Sequence, residues 1–73
     1  MVNIDDYEIE IRRHAFIRAM QRGISPDLIE ATLRRGKQKK FGKNHIKFVK
    51  GKIVCVGQII KNIIRIITIE RKK

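Results

Sequence analysis

The chain has 73 residues, of which 42% are apolar and 34% charged, and a formal net charge of +11. That length holds one domain, residues 1–73, with a thin core, because a domain this small removes only about 60% of its unfolded surface from water. The apolar fraction excludes a disordered chain, and the lack of an unbroken apolar run of about 18 residues excludes a membrane-spanning helix.

The first segment, MVNIDDYEIE, is acidic and has no apolar centre, so it does not read as a secretory signal and a cytoplasmic protein is expected. Polar and apolar residues alternate in DYEIEI, which predicts a short strand near residues 7–11. From Arg12 onward the period changes. Ala15, Phe16, Ala19 and Met20 recur at spacings of three and four and predict the buried side of an amphipathic helix. Gly23 suits a left-handed helix cap, after which Ile24 packs back on the helix.

The stretch SPDLIEATLRRG predicts a second helix with both ends marked. Ser25 is a good N-cap, Pro26 fits the first helical position and Asp27 complements the positive end of the dipole. Leu28, Ile29, Thr32 and Leu33 face inward, and Gly36 closes the helix. Strand patterns follow: KQKKF, HIKFVK, KIVCVGQII and IIRIITIERK, separated by turns at GKN, at KG and at KN. In HIKFVK, Ile46 and Phe48 face one side and His45, Lys47 and Val49 the other. The fold class expected is α+β: a short N-terminal strand, two helices, then a three- to four-stranded antiparallel meander packed against the helices. The isoleucine-rich last strand is a candidate exposed edge, through which a homodimer can form. Cys55, the only cysteine, lies in an apolar run and reads as a small buried hydrophobe.

The charge is unevenly placed. Residues 1–35 contain six basic and six acidic residues, whereas residues 36–73 contain twelve basic residues and Glu70 alone as an acid. The whole excess therefore sits in the C-terminal half, which attracts polyanions, nucleic acid first among them. No basic amphipathic helix supports a membrane surface as the partner.

His14 and His45 lie far apart without metal-ligand spacing, so no metal is expected. There is no phosphate-binding glycine loop and no Ser/His/Asp set, and no cofactor is implied. RNA cleavage without a metal needs fewer parts: proton transfer at the 2′-hydroxyl and the leaving oxygen, with cations on the phosphate. His14, Arg18 and Arg22 recur every four residues and form a ridge, expected opposite Ala15 and Ala19. His45, Lys47, Arg65 and Thr68 are expected to face that ridge from the sheet. A regular strand puts residues 65 and 68 on opposite faces, so only one can do so unless a bulge intervenes. Lys39 and Lys40 add to the candidate nucleic-acid surface.

The order His14-Ala15, Arg18, Arg22-Gly23-Ile24-Ser25, a second helix ending at Gly36 and a closing IITIE with Thr68 resembles the prokaryotic family described as domain of unknown function 4258. The resemblance covers about residues 9–70. It implies a helix-helix-sheet fold similar to RelE/BECR-like toxins, which include small metal-independent ribonucleases. It implies a site at His14, Arg18, Arg22 and Thr68; a toxin would have a neutralising antitoxin, expected to be acidic because the positive surface invites one. Arg13 stands where a helix-capping Ser or Thr is usual.

The reading that follows is an RNA-binding, toxin-like endoribonuclease. In it His14 is base or acid, Arg18 and Arg22 are the phosphate clamp, and Lys47, Arg65 and Thr68 are sheet-side contacts. The alternatives are a non-catalytic nucleic-acid-binding module and an accessory interaction protein.

Overall fold

The computed structural model of the chain describes residues 2–72. A 3-10 turn at Ile4–Asp6 leads into β1 (Glu8–Ile11), α1 (Arg13–Gln21) and α2 (Pro26–Arg35). Four strands follow: β2 (Lys37–Phe41), β3 (His45–Lys50), β4 (Ile53–Ile60) and β5 (Ile63–Arg71). They form one five-stranded sheet in the order β1-β5-β4-β3-β2. The meander β2 to β5 is antiparallel as expected, but β1 pairs with β5 in parallel, so the sheet is mixed. A parallel neighbour needs a crossover, and the two helices supply it by lying across one face of the sheet. α1 packs on β5, and α2 packs on β3 and β4.

The helix junction follows its sequence signals. Gly23 takes φ +74°. Its N–H donates to the Met20 carbonyl and that of Ile24 to Ala19, which closes α1 in a Schellman arrangement and drops Ile24 into the core. Ser25 Oγ accepts the Leu28 N–H and starts α2. Gly36 ends α2 for a different reason from the one expected. Its φ is an ordinary −70°, and a Cβ there would lie 2.3 Å from the Thr32 carbonyl oxygen. The glycine is needed for close approach and not for a left-handed turn. The N-cap of α1 is Arg12, one residue before the position expected, and no side chain caps it.

The core lies between the helices and the sheet. Ala15, Ala19, Ile24, Ile29 and Leu33 meet Ile46, Phe48, Ile53, Cys55, Ile64, Ile66 and Ile69 there. Phe16, Met20 and Leu28, expected inside, are 38%, 37% and 42% exposed. The two alanines bring α1 close to the sheet, which leaves no depth for the bulkier positions beside them. Phe16 instead borders a groove of about 440 Å³ shared with the N-terminal segment, Ile11 and Pro26.

The last strand is not an edge. β5 lies between β1 and β4, and the edges are β1 and β2. β2 carries Lys37, Lys39 and Lys40, charges that discourage edge-to-edge pairing. A dimer through the length of β5, as expected from its isoleucines, has no free edge to use along Ile63–Ile66.

Candidate functional site

β1 pairs with β5 only as far as Ile11 opposite Ile66. The remaining edge of β5 faces α1, and a cleft of about 170 Å³ opens between them. It is lined by His14, Ala15, Arg18 and Arg22 of α1 and by Ile67, Thr68, Ile69 and Glu70 of β5. The four residues expected to form the site, His14, Arg18, Arg22 and Thr68, therefore share one cleft. The ridge of His14, Arg18 and Arg22 flanks Ala15 and Ala19 instead of opposing them. One residue step turns an α-helix by about 100°, so residues 14 and 18 stand beside residues 15 and 19.

The two arginines differ in their attachments. Arg22 Nη1 donates to the Ile69 carbonyl oxygen at 3.2 Å. It satisfies a backbone acceptor on the part of β5 that β1 does not cover, and the bond fixes the guanidinium at the cleft wall. Arg18 is exposed, and its guanidinium has no hydrogen-bond or ion-pair partner among the described residues. It is the cation available to a bound anion. Glu70 is the residue that sequence reasoning misses. In the sequence it stands out only as the one acid of the basic half, and its place two residues beyond Thr68 on the same strand is the available signal.

The other sheet residues go elsewhere. Ile46, Phe48 and Cys55 point toward the helices, so His45, Lys47 and Val56 point away from them. A bulge shifts the pairing of β4 and β5: Val56 sits opposite Thr68, and Gly57 opposite Ile66. Ile67 is the extra residue. The register then sets two rows across the helix-free face. One runs Phe41, His45, Gln58, Arg65, Glu10, and the next runs Lys39, Lys47, Val56, Thr68. His45, Lys47 and Arg65 thus do not face the α1 ridge. Thr68 both ends a row of this face and borders the cleft, as does Glu70 two residues on, because they sit at the uncovered edge. Lys40 pairs with the inward-facing Ile46 and so lies on the helix side, apart from Lys39.

Side-chain contacts order the first row. The rings of Phe41 and His45 have centroids 5.5 Å apart, tilted by 34°. His45 Nδ1–H donates to the Lys43 carbonyl oxygen at 2.9 Å, which turns Nε2 outward. Arg65 Nε donates to Glu10 Oε1 at 3.0 Å.

Comparison of the chain with family models, with characterised proteins and with solved structures returned no match.

Proposed function

We propose that the protein is an RNA-binding, toxin-type endoribonuclease that works without a metal, with its chemistry in the α1–β5 cleft. The observation supporting this is that His14, Arg18, Arg22, Thr68 and Glu70 border one cleft. Glu70 carboxylate accepts the 2′-hydroxyl proton. The 2′-oxygen bonds to phosphorus as the bond from phosphorus to the 5′-oxygen breaks, and His14 imidazolium gives that oxygen its proton. Arg18 holds the phosphate oxygens as their charge rises, Arg22 lines the wall, and Thr68 offers a hydroxyl. The products are a 2′,3′-cyclic phosphate and a 5′-hydroxyl. The ordered motif from His14 to Thr68, with its resemblance to domain of unknown function 4258, points the same way. No helix among the described residues is long and apolar enough to cross a membrane, and the site of action in this proposal is the cytoplasm. An acidic antitoxin is the partner that a cationic surface of this kind would draw.

The test is cleavage of a labelled single-stranded RNA in EDTA by the wild type and by His14→Ala. Cleavage by the wild type alone, leaving cyclic-phosphate ends, is the expected result. Equal cleavage by both, or none by either, removes the catalytic role of His14.

A second reading, a nucleic-acid-binding module without catalysis, is favoured by one observation. His45, Lys47 and Arg65 stand on the sheet face away from the cleft. Under that reading His14→Ala leaves RNA binding intact and there is no cleavage to lose. An accessory protein whose charge serves only solubility would bind RNA without a steep dependence on salt.

A further inference from the structure

We infer that the helix-free face of the sheet is a binding track for single-stranded RNA, with bases on the row Phe41, His45, Gln58, Arg65 and the sugar-phosphate backbone on Lys39 and Lys47. The inference rests on the RNA reading above and specifies where and in what form the RNA binds.

Three observations carry it. The first is the aromatic pair. Phe41 is 42% exposed, and it meets the ring of His45 on an open surface. Folding does not need Phe41 there, since it stands at the end of an edge strand outside the core. Unpaired bases stack on exposed rings of this kind, whereas duplex bases keep their faces hidden.

The second observation is the arrangement of chemistry beside the rings. Gln58 and Arg65 continue the row on the next two strands. An amide offers a donor and an acceptor to a base edge, and a guanidinium offers a planar stacking surface. The Arg65–Glu10 hydrogen bond holds that guanidinium at the end of the row. Neighbouring strands lie about 4.8 Å apart, so Phe41 to Arg65 spans roughly 14 Å, room for two or three nucleotides.

The third observation is the cationic row. Lys39 and Lys47 pair across β2 and β3 one pleat repeat from Phe41 and His45. Two residues along a strand are about 7 Å, comparable to the reach from a base to its phosphate. Like charges directly opposite each other destabilise a sheet, and neither lysine has an ion-pair partner among the described residues. A polyanion resolves that repulsion. Because β1 contributes Glu8 and Glu10 at the far side of this face, the strand of RNA lies over β2, β3 and β4 and ends at Arg65.

The probe is a 2′-O-methyl hexanucleotide, which cannot be cleaved, carrying one 2-aminopurine. Fluorescence quenching reads stacking, and anisotropy reads affinity. Wild type is expected to quench the probe and to bind it more tightly than the same sequence in a duplex. Phe41→Leu is expected to abolish most of the quenching and weaken binding about tenfold. Lys39→Gln and Lys47→Gln are expected to weaken binding and flatten its salt dependence. Lys40→Gln, on the opposite face, is the control and should bind as wild type, and circular dichroism checks that each variant is folded. Two results overturn the inference while leaving the RNA reading standing: unchanged binding and quenching in Phe41→Leu, or a loss in Lys40→Gln equal to that in Lys39→Gln. Tighter binding of duplex than single strand, or of the DNA hexamer than the RNA, also overturns it. No binding by wild type at low salt removes the track and the RNA reading together.

Discussion

Arg65 and Thr68 stand on the same face of the sheet, although an odd number of residues separates them along β5. The bulge at Ile67 is the cause: it inserts one residue and reverses the alternation. Ile69 therefore turns into the core, where an unbroken alternation from Ile64 and Ile66 would turn Thr68 inward instead. Opposite the bulge lies Gly57, whose missing side chain leaves space that Ile64 and Ile66 fill. A Cβ at Gly57 would lie 3.0 Å from Ile64 Cγ2 and 3.1 Å from Ile66 Cδ1. Gly57→Val is therefore expected to overpack the core beside the bulge and cost about 1–3 kcal/mol. Urea denaturation measures it, and a stability within about 0.5 kcal/mol of wild type would show that the strands relax freely at this point.

The helix-ending glycines make a second, comparative prediction. Gly23→Ala meets open space but a backbone at φ +74°, which costs about 1 kcal/mol in a residue with a Cβ. At Gly36 the conformation is ordinary, but the new Cβ would press on the Thr32 and Val49 carbonyl oxygens at 2.3 and 3.0 Å. Backbone cannot step aside as a side chain can, so Gly36→Ala should be the more destabilising of the two. Midpoints of denaturation for the pair decide the order, and a reversed order would refute the close-approach account of Gly36.

Cys55 gives a pH dependence. Its side chain is fully buried, and burial pushes the thiol pKa up to about 11 from 9.0. The unfolded chain loses this proton near pH 9 while the native chain keeps it. Between about pH 9 and 11 the unfolded state therefore binds fewer protons, and stability falls as pH rises. The contribution reaches about 2–3 kcal/mol at the top of that window. Cys55→Ala removes this thiol alone, so every other pH effect is common to the two chains and cancels in the comparison. The variant should show a shallower fall in stability from pH 8 to 10.5. Parallel curves would mean that the native thiol ionises as readily as the unfolded one. The same burial predicts that thiol reagents modify Cys55 only on unfolding.

The helices are legible in the sequence because their ends are chemically marked: Ser25-Pro26 starts one, and Arg22-Gly23-Ile24 stops the other. The antiparallel meander is legible from its alternation and its short turns. The parallel pairing of β1 with β5 is not, since EIEI carries no sign of which strand it will join or in which direction. The bulge at Ile67 is equally hidden, because a run of isoleucines reads the same in either phase. The bulge decides only where Thr68 turns; His45, Lys47 and Arg65 face away from α1 by plain alternation, because their neighbours Ile46, Phe48, Ile64 and Ile66 take the helix side. Among the candidate site residues, helical spacing is enough to gather His14, Arg18 and Arg22. Glu70 is invisible to it, because its place beside them depends on where β1 stops pairing.

Arg18 and Arg22 are the same residue type on the same ridge, and they should fail differently. Arg22 donates to the Ile69 carbonyl, so Arg22→Ala leaves an acceptor at the β5 edge without its partner. The expected loss is about 1 kcal/mol of stability. Arg18 makes no such bond, so Arg18→Ala should unfold at the same urea concentration as wild type. In the proposed reaction Arg18 meets the phosphate as charge develops on it, so Arg18→Ala should lower RNA cleavage by about 10²-fold or more. Arg18→Lys keeps the charge but not the planar fork, and it should recover only part of the loss. Parallel measurements of denaturation midpoint and cleavage rate on the three variants separate the roles. A stability loss in Arg18→Ala as large as that in Arg22→Ala would make both residues props of the β5 edge and leave the cleft without its phosphate clamp.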